Sequence, residues 1–373
     1  MNNPTGKQRD LRLDFFRGFA LITIFINHVP GTLFENFTSR NFGFSDAAEA
    51  FVLMAGIAAA LAYTSTIKHS MGEGIRKAAA RSFKLYWVHL LITSLAISGV
   101  IMLSNALDVQ DFLYKNNFRP LLEDPVAGIV GVISLGHQLG YFNILPLYAV
   151  LILASPFLVN AAIRSPYGLL SVAAGMWLAV GLMQVNFPNY PTSGGWFLNP
   201  LAWQLVFIIG IVIGVSTKEK RPFCSFHPLA YAIAVGYLAF SLIVVRWQLW
   251  SYIQAPSLPT VLFGFNKSYL TLPRLLHVLA LAYAVIHLPV FYKVANSKLA
   301  APVRHLGQNS LVAFATGSLV CILFQVIKAK YQLTIAHDAV LLAVGLSIQF
   351  LAIHIAQRAR HTVGFTARSS KHA

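Results

Sequence analysis

The sequence predicts an all-α polytopic membrane protein of about 10 transmembrane helices with both termini in the cytoplasm. Three observations predict it. Hydrophobic residues fill 57% of 373 positions and charged residues only 11%, a balance far more apolar than a soluble domain of this length requires. Apolar runs of about 17–25 residues, long enough to cross a bilayer, recur ten times along the chain. With the N-terminus inside, 20 of the 28 Lys and Arg fall in inner segments, as the positive-inside rule demands. That distribution accounts for the net charge of +16 without a nucleic-acid partner, because the basic residues lie between apolar runs and form no single patch. Cys224 and Cys321 have no spacing that suggests a disulfide, a metal site or a redox motif. Residues 1–373 therefore read as one membrane domain with short tails at 1–10 and 358–373. The first run lacks a small-x-small cleavage site in "NHVPGTLFENF" and reads as a retained helix.

That first run, 11–29, carries Asp14, Arg17, Asn27 and His28 among apolar residues. On a helix Asp14, Arg17 and His28 share one stripe, with Arg17 and His28 about 20° apart and ~16 Å along the axis. Ionisable side chains facing lipid cost several kcal/mol, so the stripe is expected to face protein or a wet cavity. The alternative is an Asp14–Arg17 pair snorkelling at the inner interface and His28 at the outer one. The second run, 46–66, opens with Asp46 and Glu49 at i and i+3, at the depth of His28. A carboxylate beside a histidine fixes its tautomer and stabilises its charged form, as a general base needs.

Arg76, Lys77, Arg81 and Lys84 lead into the third run, 84–104. Beyond it the outer stretch 105–143 holds Asp108, Asp111, Glu123 and Asp124, and the runs 144–162 and 167–185 follow. A second outer stretch, "NFPNYPTSGGWFLNP" at 186–200, is rich in Pro, Gly, Asn and aromatic residues. Aromatic faces and amides suit sugar rings, the alternative being an interfacial aromatic belt. Runs at 199–216, 228–246, 270–291, 305–327 and 338–357 complete the set. Asn309 and Ser310 read as helix-packing residues, and His89, Tyr148, His287 and His354 as core or interfacial ones.

Arg9, Leu13, Asp14, Arg17, Gly18 and His28 resemble the R-x-x-x-L-D-x-x-R-G…H opening of the acyltransferase-three type membrane acyltransferases. "EAFVLMAG" at 49–56 is similar to their D-x-F-F-x-L-S-G, and Arg81, Tyr86 and Trp87 to their R-I-x-P-x-Y-W. Glu49, Ala55 and Lys84 depart from the usual Asp, Ser and Pro; the missing hydroxyl at 55 argues against a seryl intermediate there. Within that superfamily, "FSDAAEAFVLMAG" at 44–56, "NILPLYAVLILASP" at 143–156, "NPLAWQLVFIIG" at 199–210, "LPRLLHVLALAY" at 272–283 and "LGQNSLVAF" at 306–314 resemble the OpgC family, membrane succinyltransferases of osmoregulated periplasmic glucans.

The resemblance implies a bacterial inner-membrane, multi-pass, membrane-bound O-acyltransferase. Its co-substrate would be succinyl-CoA or another acyl-CoA, with no bound cofactor, and its acceptor a periplasmic glucan. Membrane lipid surrounds it, and a homo-oligomer is compatible with the sequence. His28 is the expected base, with Asp46 or Glu49 orienting its ring. Arg17, Arg81, Asp14, Tyr86 and Trp87 are expected on the donor path, where basic residues meet the donor's phosphates. Arg274, His277 and the preceding Lys267 would bind the succinyl carboxylate or stabilise an oxyanion, or else be an interfacial cation and a core histidine. A proton-coupled transporter or flippase, and a structural partner of a glucan-synthesis complex, are the competing classes.

Overall fold

The computed structural model describes residues 11–369 apart from 222 and 254–256, with side chains to residue 359. Among the described residues it is all-helical, with one isolated bridge between Pro188 and Gly195. The helices are α1 Leu11–Asn27, α2 Ala47–His69, α3 Met71–Leu107, α4 Arg119–Glu123, α5 Pro125–Ile133, α6 Ile144–Arg164, α7 Pro166–Met183 and α8 Pro200–Lys218. They continue as α9 Pro228–Arg246, α10 Thr260–Phe263, α11 Leu272–His287, α12 Pro289–Asn296, α13 Ala301–Gln308, α14 Ser310–Lys330 and α15 Ile335–Ser369. Starts follow local chemistry. Proline stands at the first turn of α7, α8, α9 and α12, where its missing N–H costs nothing. Ser70 and Asn199 cap α3 and α8 through their side-chain oxygens.

Among the described residues eight helices are long and apolar enough to cross a membrane, and the pair α11–α12, bent by 77°, makes a ninth if counted as one span. The chain is a membrane protein. The expected ten differ by α1, which at 17 residues is shorter than any of the eight and carries Arg12, Asp14 and Arg17. The run 270–291 bends because Pro289 opens α12 and biases Leu288 away from the helical region. The run 305–327 is not one helix either. Asn309, at φ −110° and ψ 33°, separates α13 from α14.

The bundle centres on α8, whose Trp203, Phe207 and Ile211 are fully buried. A Cβ at Gly56 would overlap the Phe207 carbonyl, and one at Gly210 the Leu53 carbonyl, so α2 and α8 touch backbone to backbone. Gly18 and Gly307 do the same for α1 and α13. In lipid, where apolar burial gives little drive to associate, such close approach is what packs helices.

Three further differences from the sequence-based expectations concern the segments outside the core. α3 runs 37 residues, about 55 Å, so Arg76, Lys77, Arg81 and Lys84 lie on the helix itself. The stretch expected as a tail from 358 continues as helix to Ser369; the tail 1–10, with Lys7 and Arg9, and residues 370–373 lie outside the described residues. The stretch 105–143, expected on the outer side, holds α5, capped by Asp124 and apolar yet exposed, with Val126 at 74%. Nine residues are too few to register as a spanning run.

Lys115 and Lys220 follow opposite ends of the bundle, one beyond the end of α3 and the other beyond α8. In a background lacking Cys224 and Cys321, a cysteine placed at 115 is expected to react with an impermeant thiol reagent from outside, and one at 220 is not. Outside labelling at 220 would reverse the inferred orientation.

Candidate active site

The site begins where α2 begins. Asp46 Oδ1 accepts from the Ala48 N–H at 2.8 Å, and Glu49 Oε2 accepts from the Asp46 N–H at 3.0 Å. This reciprocal capping box places two carboxylates at the positive end of a helix dipole. Glu49 is fully buried, and two carboxylates this close need cations to stay ionised there.

The cations come from the segment entering α11. Lys267 Nζ bonds to Asp46 Oδ2. Arg274 donates to Glu49 Oε1 from Nε at 2.7 Å and also from Nη2, which lies 3.6 Å from Asp46 Oδ2. One helical turn further, His277 Nδ1 accepts from the Ser45 backbone N–H at 3.4 Å and lies 2.7 Å from Ser45 Oγ. Its Nε2 faces Gly43, where any Cβ would overlap the ring. Lys267, Arg274 and His277 thus clamp Asp46, Glu49 and Ser45.

This pairing bears on two expectations without deciding either. No hydrogen bond joins His28 to Asp46 or Glu49, because cap N–H groups and cations already occupy the carboxylates. Arg274 and His277, expected to meet a donor carboxylate or oxyanion, are bonded to the protein itself.

On α1, Asp14 is 1% exposed and accepts from Gln308 Nε2 of α13 at 3.2 Å. Arg17 Nη2 donates to the Met54 carbonyl of α2 at 3.2 Å. The polar stripe therefore faces protein, as its desolvation cost requires. Beyond the C-terminal end of α1, His28 is half-buried. Its ring centroid is 4.5 Å from that of Tyr141, a residue held at φ +73°, a conformation that side chains other than Gly, Asn and Asp seldom adopt. Gln325 Nε2 donates to the His28 carbonyl at 2.6 Å, and Gln325 Oε1 accepts from Asn116 Nδ2 at 2.8 Å. The backbone of His28 is thus fixed, while no described residue hydrogen-bonds its ring. Lys267 and Asp46 are the charges that act on it.

The remaining expected residues lie apart from this cluster. Arg81 is exposed on α3. Tyr86 Oη donates to the Ile133 carbonyl at 2.9 Å, tying α3 to α5, and Trp87 is 54% exposed, edge-on to Phe83.

Several site residues had no sequence signal beyond their type. Tyr141 and Asn116 are ordinary loop residues in the outer stretch, and Ser45 precedes a cap as many serines do. Gln325 alone was detectable in principle, as an amide inside the apolar run of α14. At the opposite end of the bundle, Thr64, Ser65, Lys68, Lys218, Glu219 and Arg221 line a cavity of about 320 Å³. Its cations read in sequence as ordinary inner-loop charge.

A family described as OpgC protein matches residues 9–361. No curated protein and no solved structure matches the chain.

Proposed function

The chain belongs to the OpgC family, whose membership points to a glucan-modifying acyltransferase, and from that premise we propose that it carries an acyl group from a cytosolic thioester to a periplasmic glucan. Succinyl-CoA is the donor, the acceptor is a glucan hydroxyl, and the enzyme sits in the bacterial inner membrane with both termini in the cytoplasm. The observation that supports this reading is the state of His28. His277 is bonded to Ser45, His137 to the Asn117 carbonyl, and His89 is fully buried. His28 has a fixed backbone and a ring with no hydrogen-bonded partner among the described residues, as a base awaiting a substrate hydroxyl requires.

In this reading a ring nitrogen of His28 takes the hydroxyl proton as that oxygen attacks the thioester carbonyl carbon. The carbon–sulfur bond then breaks, and the thiolate leaves with the proton that His28 gives up. Ester and free thiol are the products, and no proton is gained or lost. Asp46 and Lys267 set the field around the ring, and the clamp on α2 keeps that field in place. At the inner end, Lys68, Lys218 and Arg221 outnumber Glu219, so that cavity suits the donor's phosphates. Arg17 lies between the two ends on the same face of α1 as His28.

Purified protein given succinyl-CoA and a glucan is expected to release free thiol only when glucan is present, and to form a succinyl ester on the sugar. Absence of thiol release, with the protein folded and glucan present, would turn the reading toward a transporter.

A further inference from the structure

We propose that a neutral cavity at the outer face, walled by Asn117, Gln138, Asn143, Asn189, Thr192 and Phe197, is the subsite that holds one sugar unit of the acceptor. The inference rests on the acyl-transfer reading for its glucan, and on the cavity's own chemistry for everything else. The cavity measures about 210 Å³, the room of about seven waters, which suits a single pyranose ring better than an extended ligand.

The amides show what it would bind. Asn117 Nδ2 donates to the Gln138 carbonyl at 3.0 Å, Asn189 Nδ2 to the Gly195 carbonyl at 2.9 Å and Gln138 Nε2 to the Leu135 carbonyl at 3.1 Å. Asn143 Nδ2 donates to Gln138 Oε1 at 3.1 Å. Each NH₂ group is turned toward an oxygen that only a donor can satisfy, which fixes the orientation of the amide. Asn117, Asn143 and Asn189 then present Oδ1 atoms that accept no hydrogen bond from any described residue. Each NH₂ group keeps a second N–H, and Thr192 and Ser268 add hydroxyls, so the wall offers acceptors and donors together, the pairing that a ligand rich in hydroxyl groups needs. It offers no cation to a phosphate or carboxylate.

No ionised side chain is among the lining residues. His137, also in the wall, is held below its ordinary value mainly by burial and is neutral at pH 7. Phe197 adds a half-exposed aromatic face, with Lys267 Nζ 5.7 Å from its ring centroid.

Position supports the same use. Ser268 lines the cavity, and its neighbour Lys267 holds Asp46. Gln138 and Asn143 bracket Tyr141, whose ring rests on His28. A sugar in this cavity would lie between the two segments that flank the base. These walls come from 117–143, 189–197 and 268, stretches separated by up to about 150 positions in the chain, so one concave surface is built from parts that share no local pattern.

The test uses the full chain in nanodiscs, with short glucose oligosaccharides as acceptors and radiolabelled succinyl-CoA as donor. Asn189→Leu and Phe197→Ala are each expected to raise the acceptor KM about tenfold or more, the loss of about 1.4 kcal/mol of binding, while the donor KM stays within about twofold. Thr192→Val, which keeps shape and removes one hydroxyl, is expected to raise the acceptor KM by a smaller factor and guards against misfolding of the others. Unchanged acceptor KM in all three would overturn the subsite. Saturation-transfer NMR of the oligosaccharide on wild-type protein without donor separates the two readings. Sugar contacts that Phe197→Ala removes, without any transfer, would leave the subsite standing and remove the reaction; transfer without such contacts would do the reverse.

Discussion

His28→Asn is expected to lower acyl transfer to glucan by about 10²–10⁴-fold, the contribution of a positioned general base, while the protein reaches the membrane in normal amount. Asparagine keeps a hydrogen-bonding side chain of similar reach but takes no proton. The fold should tolerate it, because what Gln325 holds at this position is the backbone carbonyl, which the substitution leaves in place. The variant gives up only the packing of the ring against Tyr141, a surface term small beside the buried pairs nearby. The measurement is succinyl content of glucans from cells matched for expression, with thiol release by the purified variant. Acylated glucan near the wild-type level would remove His28 from the chemistry.

Arg274→Met is expected to have the largest effect on stability. It leaves Glu49, fully buried, with the Asp46 N–H as its one remaining hydrogen-bond donor among the described residues. Removing one partner of a buried pair costs about 3–5 kcal/mol, enough to deplete the protein from the membrane. Transfer of succinyl and of an uncharged acyl group such as acetyl should then fall together, because α2 loses its anchor. Selective loss of succinyl transfer by a normally stable protein would instead return Arg274 to the donor carboxylate.

Glu49→Gln is expected to be milder. Arg274 keeps Asp46 at 3.6 Å, and Gln preserves the acceptor that the capping box uses. Combining Arg274→Met with Glu49→Gln removes both buried charges and should recover much of the stability lost by Arg274→Met alone, since neutralising both members of a buried pair is far cheaper than stranding one. Thermal unfolding in detergent of the two single variants and the double variant measures that recovery. A double variant no more stable than Arg274→Met would locate the damage elsewhere.

Much of the molecule was legible along the chain. Hydropathy and the alternation of Lys and Arg gave an all-helical membrane protein, because lipid leaves helices as the spanning form for long apolar runs. The stripe of Asp14, Arg17 and His28 was visible as periodicity, and its burial followed from the cost of charge in lipid. Asp46 and Glu49 were visible as carboxylates at i and i+3 opening a helix, while their capping box emerged with the structure. The breaks at Leu288 and Asn309 were harder to see. Pro289 is a weak boundary signal inside an apolar run, and Asn309 stands where α13 turns away after packing on α1.

What the sequence by itself determined is everything that depends on neighbours within a few turns: which segments are helical, which face of α1 avoids lipid, and where the two carboxylates of α2 sit. Tertiary structure alone decided what those carboxylates do. Arg274 meets Glu49 across 225 positions, and Lys267 meets Asp46 across 221. Periodicity on one helix cannot reveal a partner on another, so the sequence left Asp46 and Glu49 free to orient His28. Burial gives the carboxylates their partners: a pair removed from water must be neutralised by the nearest cations, and the fold brings Lys267 and Arg274 there. It leaves the His28 ring beside Tyr141, without a hydrogen-bond partner among the described residues.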